Sequence, residues 1–140
     1  MLTTKSEKYL GEILSSNGRI ENNILARYNK GVGIVNEILG MLKEVSFGFH
    51  YFSMAMLFRN SKLVSGMLCS IETVYGLTNA HIEQLEQCDR MLMRKVFNCV
   101  CSTAIEAYYL EANILPFRFI IVARRLMYYW TILHKIDSTL

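Results

Sequence analysis

The residues of this 140-residue chain that could make or break covalent bonds are not gathered by their spacing. Nucleotidyl transfer by two metal ions needs carboxylates held side by side, usually on a strand-turn. The only aspartates, Asp89 and Asp137, fall in different helical patterns, and neither has a second carboxylate beside it in a strand-turn. A cysteine hydrolase would need Cys69, Cys88, Cys99 or Cys101 near His50, His81 or His134, and no local signature of an activated nucleophile is present. Without CxxC spacing the cysteines read as reduced thiols of an intracellular protein and not as zinc ligands. Gly31-Val32-Gly33 lacks a following GK[ST] and sits inside a helical pattern, so it is no phosphate loop.

What remains is contact with a phosphate backbone. The candidate residues are Arg27 and Lys30, Arg59 and Lys62, Arg90, Arg94 and Lys95, and Arg124 with Arg125, set on the first three helical patterns and the last. The plainer reading of each is a solvated polar face. Tyr108, Tyr109, Tyr128, Tyr129 and Trp130 lie close to basic residues, as a base-stacking surface would require. Their helical spacing favours core packing instead. A formal charge of +3 permits a nucleic-acid partner without demanding one.

The elements that must position these residues are mostly helical. Hydrophobic residues make up 52% of the chain against 19% charged, with one proline, which argues for a buried helical core and against disorder. Apolar residues at three- and four-residue spacing predict helices over 19–44 and 50–70. Gly31 and Gly33 weaken the first of these by about 1 kcal/mol each unless another backbone approaches there. Thr78-Asn79 offers an N-cap for a helix over 80–97, with Arg94 and Lys95 near its negative end. A short helix over 103–111 follows, and Pro116 opens a last one over 117–136. Before them, Lys8 to Leu14 reads as one strand or extended arm, ending in a Ser15-Ser16-Asn17-Gly18 turn and without a partner strand downstream. The expected architecture is mostly α, about five helices in a bundle, with a strand left over from a sheet supplied by other sequence.

The order of motifs resembles the region beyond the palm of non-LTR (LINE-like) retrotransposon reverse transcriptases. Tyr109-Leu110-Glu111, Pro116, Arg118, Ile120-Ile121, Arg124-Arg125-Leu126, Tyr128 and Ile132-Leu133 follow the order of the family's "YLE…G-x-x-P-x-R-x-I-I…RR-L-x-Y…IL" segment. Upstream, Glu72-Thr73, Leu77-Thr78, Ile82, Leu85-Glu86, Arg90, Leu92 and Arg94-Lys95-Val96 keep a similar order. Tyr9-Leu10-Gly11 looks like the family's primer-side "YLG", with Asn17-Gly18 as its turn. Cys69-Ser70 stand where the family often has Tyr-Gly, and Val74 where it often has tryptophan, which marks a diverged copy.

The resemblance implies three regions: a palm-edge strand and turn at 1–18, a thumb-like bundle at 19–100 and connecting helices at 101–140. It implies a fragment of an RNA-directed DNA polymerase that grips RNA template and RNA–DNA hybrid by shape and backbone charge. Arg94 and Arg125 match the family's recurring positions. The chemistry, and the Mg that serves it, would come from a palm and fingers outside this chain, so the chain holds no cofactor and is no enzyme by itself. The competing reading is a stand-alone helical protein-interaction module or an inert domesticated remnant. No apolar run reaches the roughly 20 residues of a membrane span, and MLTTKSEKYLG has no apolar signal core. An intracellular protein, cytoplasmic or nuclear, without a membrane partner is the expectation.

Overall fold

Five helices form where apolar residues recur at helical spacing. The structure, a computed structural model, describes residues 6–9, 12–15, 20–99, 102 and 104–137. Helix α1 spans Glu21–Leu42. It buries one stripe, Ile24, Arg27, Gly31, Val35, Ile38 and Leu42. Helix α2 covers residues 49–67 in three parts: an α-helical Phe49–Phe58, a π-helical Arg59–Val64 and a closing α-helical turn, Ser65–Met67. The wider π turn was not legible in the sequence. It carries Arg59, Leu63 and Val64 on the buried side of the helix.

Helix α3, Asn79–Val96, begins at the expected cap. The Thr78 hydroxyl accepts from the His81 backbone N–H, and His81 Nδ1 accepts in return from the Thr78 N–H at 3.2 Å. Its far end closes on Asn98, whose φ of 50° is left-handed. There the Cys99 N–H donates to the Arg94 carbonyl and the Asn98 N–H to the Lys95 carbonyl, satisfying the carbonyls a helix end leaves open. Helix α4, Ile105–Glu111, ends the same way on Asn113, with Ile114 donating to Tyr109. Helix α5 runs over Phe117–Asp137 immediately after Pro116. The expected starts at Arg19 and Thr103 lie outside the described residues.

The single strand expected over 8–14 is corrected to a hairpin. Strand β1, Ser6–Tyr9, pairs antiparallel with β2, Glu12–Ser15, with Lys8 opposite Ile13 and Tyr9 opposite Glu12. The arm supplies its own partner, because two residues between two short runs suffice for an antiparallel ladder. This ladder therefore gives no sign of a missing sheet. Leu10, Gly11, Ser16, Asn17 and Gly18 lie outside the described residues.

The main core joins α1, α2, α3 and α5 around Ile24, Ile38, Leu63, Leu85, Leu92 and Phe117. Phe117 and Ile121 bring the last helix into the same core as residues 19–100. Burying each such side chain stabilises the fold by about 1.5–3 kcal/mol. Gly31 and Gly66 let α1 and α2 close up: a Cβ on Gly66 would lie 2.7 Å from Ile34 Cδ1, and one on Gly31 would meet Met67 and Cys88. The close approach at Gly31 is by side chains and not by another backbone, and Gly33 faces open space. A smaller cluster of Met93, Tyr108 and Tyr109 seats α4. Tyr128, Tyr129 and Trp130, expected in the core by their spacing, are exposed, because the bundle covers only the first turns of α5.

Candidate nucleic-acid interface

The nine candidate cations separate by what their charge already touches. Arg59, on the π turn of α2, is 1% exposed. Its Nε meets Asp89 Oδ1 at 2.6 Å and its Nη2 meets Asp89 Oδ2 at 2.7 Å. Nη2 also donates to the Leu115 carbonyl, and the guanidinium lies 5.5 Å from the centre of the Phe117 ring. The Tyr109 hydroxyl completes the cluster by donating to Asp89 Oδ2 at 2.9 Å. Burial pushes the Asp89 carboxyl above its ordinary range, against the opposing pull of Arg59 and Tyr109. Burial and the neighbouring Asp89 push the Tyr109 hydroxyl up, so it stays a donor.

Arg27 and Arg124 are spent on the end of α2. Arg27 Nη1 donates to the Met67 and Cys69 carbonyls, each at 2.7 Å, while its Nε donates to Asn23. Arg124 Nη1 reaches the Leu68 carbonyl at 2.6 Å from α5. Two guanidiniums from flanking helices thus cap three carbonyls at a helix terminus, where cations are favoured. Lys62 pairs with Glu37 at the surface.

Arg90 is held by Glu83 and, one turn away, by Glu86 at 3.1 Å. Arg118, which sequence reasoning passed over as a site residue, closes the same network. Its backbone N–H and Nε both donate to Glu86 Oε1 at 3.0 Å, and its Nη2 meets Glu86 Oε2 at 2.7 Å. Burial raises the Glu86 carboxyl, but the bonds and charge of Arg118, helped by Arg90, outweigh it and hold the group below its ordinary range. Arginine two residues after Pro116 was visible in the sequence; its partner on α3, 32 residues earlier, was not.

An open groove of about 400 Å³ remains along the second half of α3, lined among the described residues by Gln87, Arg90, Met91, Arg94, Lys95, Asn98 and Cys99. Gln87, Arg90, Met91, Arg94 and Lys95 fall three and four apart and so share one helix face, and Asn98 and Cys99 continue the groove past the helix end. Lys95 is exposed, and Arg94 Nε is buried without a hydrogen-bond partner among the described residues. Gln87 and Asn98 add amide groups that were not singled out from the sequence. Lys30 is exposed on α1 and Arg125 half-buried on α5. Tyr9 lies in β1, and Leu10 and Gly11 of the primer-side motif are outside the described residues.

Comparisons with family models, curated proteins and solved structures give no match. The assignment of a role therefore rests on the geometry and on the motif order.

The buried carboxylate pair on α3 is already saturated by hydrogen bonds. Glu86 and Asp89 are neighbours on α3, and every oxygen of both already accepts from Arg59, Tyr109, Arg90 or Arg118. Among the described residues no three of His, Cys, Asp and Glu converge as metal ligands, and no helix is long and apolar enough to cross a membrane.

Proposed function

We propose that this chain is the thumb-like and connecting-helix part of a non-LTR retrotransposon reverse transcriptase, contributing grip on an RNA–DNA hybrid and no chemistry of its own. The observation that carries the reading is the α3 groove, where Arg94 and Lys95 stand beside Gln87 and Asn98, neither cation paired with a carboxylate among the described residues. Arg90 supplies a third cation from the same face, steadied by Glu83 and Glu86. A row of cations with amide donors on one helix suits a phosphate backbone and reads no bases. The motif order Tyr109-Leu110-Glu111, Pro116, Arg118 and Arg124-Arg125 supports the parentage, and the palm that would add Mg and the polymerising site lies outside this chain.

The test is binding of the purified chain to a labelled RNA–DNA hybrid across a salt series, beside an Arg94→Gln, Lys95→Gln variant. Both residues lie outside the buried ion-pair networks, so helicity is expected to survive. Affinity should fall steeply with salt, and the variant should bind more weakly with a slope shallower by about 1 per lost phosphate contact. Absence of binding by a folded chain, or a variant with unchanged slope, overturns the proposal. The other reading, a helical interaction module, is favoured by a separate surface, the outer face of α5.

A further inference from the structure

Helix α5 is apolar on two sides, and the bundle covers only one. Phe117 and Ile121 face the core, and Arg124 reaches the end of α2. On the other side Phe119, Val122, Leu126, Tyr129, Leu133 and Ile136 are each between 49% and 64% exposed. Their spacing alternates three and four residues without interruption over the length of the helix. That period of 3.5 is the narrow seam of a coiled coil and not the broader stripe with which a helix covers a globular core. No charged residue interrupts it.

We propose that this seam is a self-association surface, on which α5 of one copy packs against α5 of a second copy of this chain. A seam of this period is filled by a helix of the same period, and among the described residues α5 alone presents one on the outside. Set antiparallel, the seam is complementary to itself: Phe119 meets Ile136, Val122 meets Leu133 and Leu126 meets Tyr129. Each layer then combines a larger with a smaller side chain, and a two-fold arrangement of this kind closes after two copies. At ~100 Å² of exposed apolar surface per residue the six side chains offer on the order of 600 Å² per copy. Trp130, 65% exposed on the seam's flank, extends this toward the roughly 800 Å² per partner of a stable interface.

The proposal is independent of hybrid binding, which uses α3. Sedimentation equilibrium of the full chain at concentrations up to about 100 µM reads it directly, beside a Leu126→Lys, Leu133→Lys variant. Both side chains are largely exposed in the single copy, so the variant should keep its helical circular dichroism. A dimer whose dissociation constant rises by roughly 100-fold or more in the variant is the expected result. A folded chain that stays monomeric over this range overturns the proposal, as does a dimer or larger assembly that the variant leaves intact. Unchanged hybrid binding by the monomeric variant would separate the two surfaces.

Discussion

Arg59 and Asp89, thirty residues apart in sequence, form a two-pronged ion pair inside the bundle, with contacts of 2.6 and 2.7 Å and side chains 1% and 0% exposed. Taking both charges from water is costly, and the pair survives because Tyr109 and Leu115 occupy the remaining hydrogen-bonding positions. Arg59→Met or Asp89→Leu alone should therefore lower stability by about 3–5 kcal/mol, each leaving a buried charge without its counterpart. Arg59→Met with Asp89→Leu should recover most of that loss. Denaturant unfolding of the four proteins forms the cycle, and a double variant as unstable as the singles would refute the assignment of the cost to unpaired charge.

Glu86 gives the fold a pH dependence of definite sign. Its carboxyl is held below the ordinary value of 4.5 in the folded state, so the charged form favours folding. The stabilisation is complete above the unfolded value and disappears as pH falls through the lower, folded value. Asp89, raised by burial, has the opposite sign. Glu86→Gln leaves Asp89 in place and removes only a minor contribution to its raised carboxyl, so the stability difference between wild type and variant reports chiefly Glu86. That difference should be largest near neutrality and shrink on acidification below about pH 4.5. A difference constant with pH would show that Arg118 and Arg90 do not favour the ionised form.

Cys88 should be the slow thiol among Cys69, Cys88 and Cys99. Burial, together with the adjacent Asp89 charge, pushes it up to about 11, while Cys69 and Cys99 are exposed. The thiolate is the nucleophile, so its scarcity and its burial act in the same direction. Alkylation near pH 8 followed by peptide mapping should label Cys69 and Cys99 within minutes and Cys88 only on unfolding. Equal labelling rates in the folded chain would place Cys88 at the surface and contradict the packing of α3 against α1.

Local periodicity made the helices legible, and distant pairing hid the fate of their charges. The three- and four-residue spacing placed α1 and α3 within about two residues of their ends, since a helix boundary is written in neighbouring residues. Arg27 and Lys30, or Arg59 and Lys62, look alike in such a reading, yet the arginines are buried and the lysines are not. One signal was available: Arg27 continues the stripe from Ile24 to Gly31, and Arg59 the stripe from Ala55 to Leu63, so both arginines occupy core positions. Asn98 and Asn113, each just past the last apolar residue of its helix, are of the type that accepts a left-handed helix end. The π turn of α2 and the pairing of Arg118 with Glu86 arise from tertiary packing, for which the sequence carries no local mark. The hidden partner of the Lys8 strand was local, but two runs of four residues are too short to separate by alternation.

The two glycines of Gly31-Val32-Gly33 should respond differently to the same substitution. Alanine in place of glycine inside a helix is worth about 1 kcal/mol, by propensity and by restricting the unfolded chain. At Gly33 the new Cβ meets nothing within 4 Å, so Gly33→Ala should stabilise by about 0.5–1 kcal/mol. At Gly31 the Cβ lies 3.0 Å from Cys88 Sγ and nearer still to the tip of Met67, both fully buried. Met67 can swing its tip only into a packed core, so the propensity gain is offset by displacement of the α2 and α3 contacts. Gly31→Ala should thus be less stable than Gly33→Ala by about 1 kcal/mol or more in urea unfolding. Equal effects would mean that α1, α2 and α3 are more loosely joined at this point than the Gly31 contact requires.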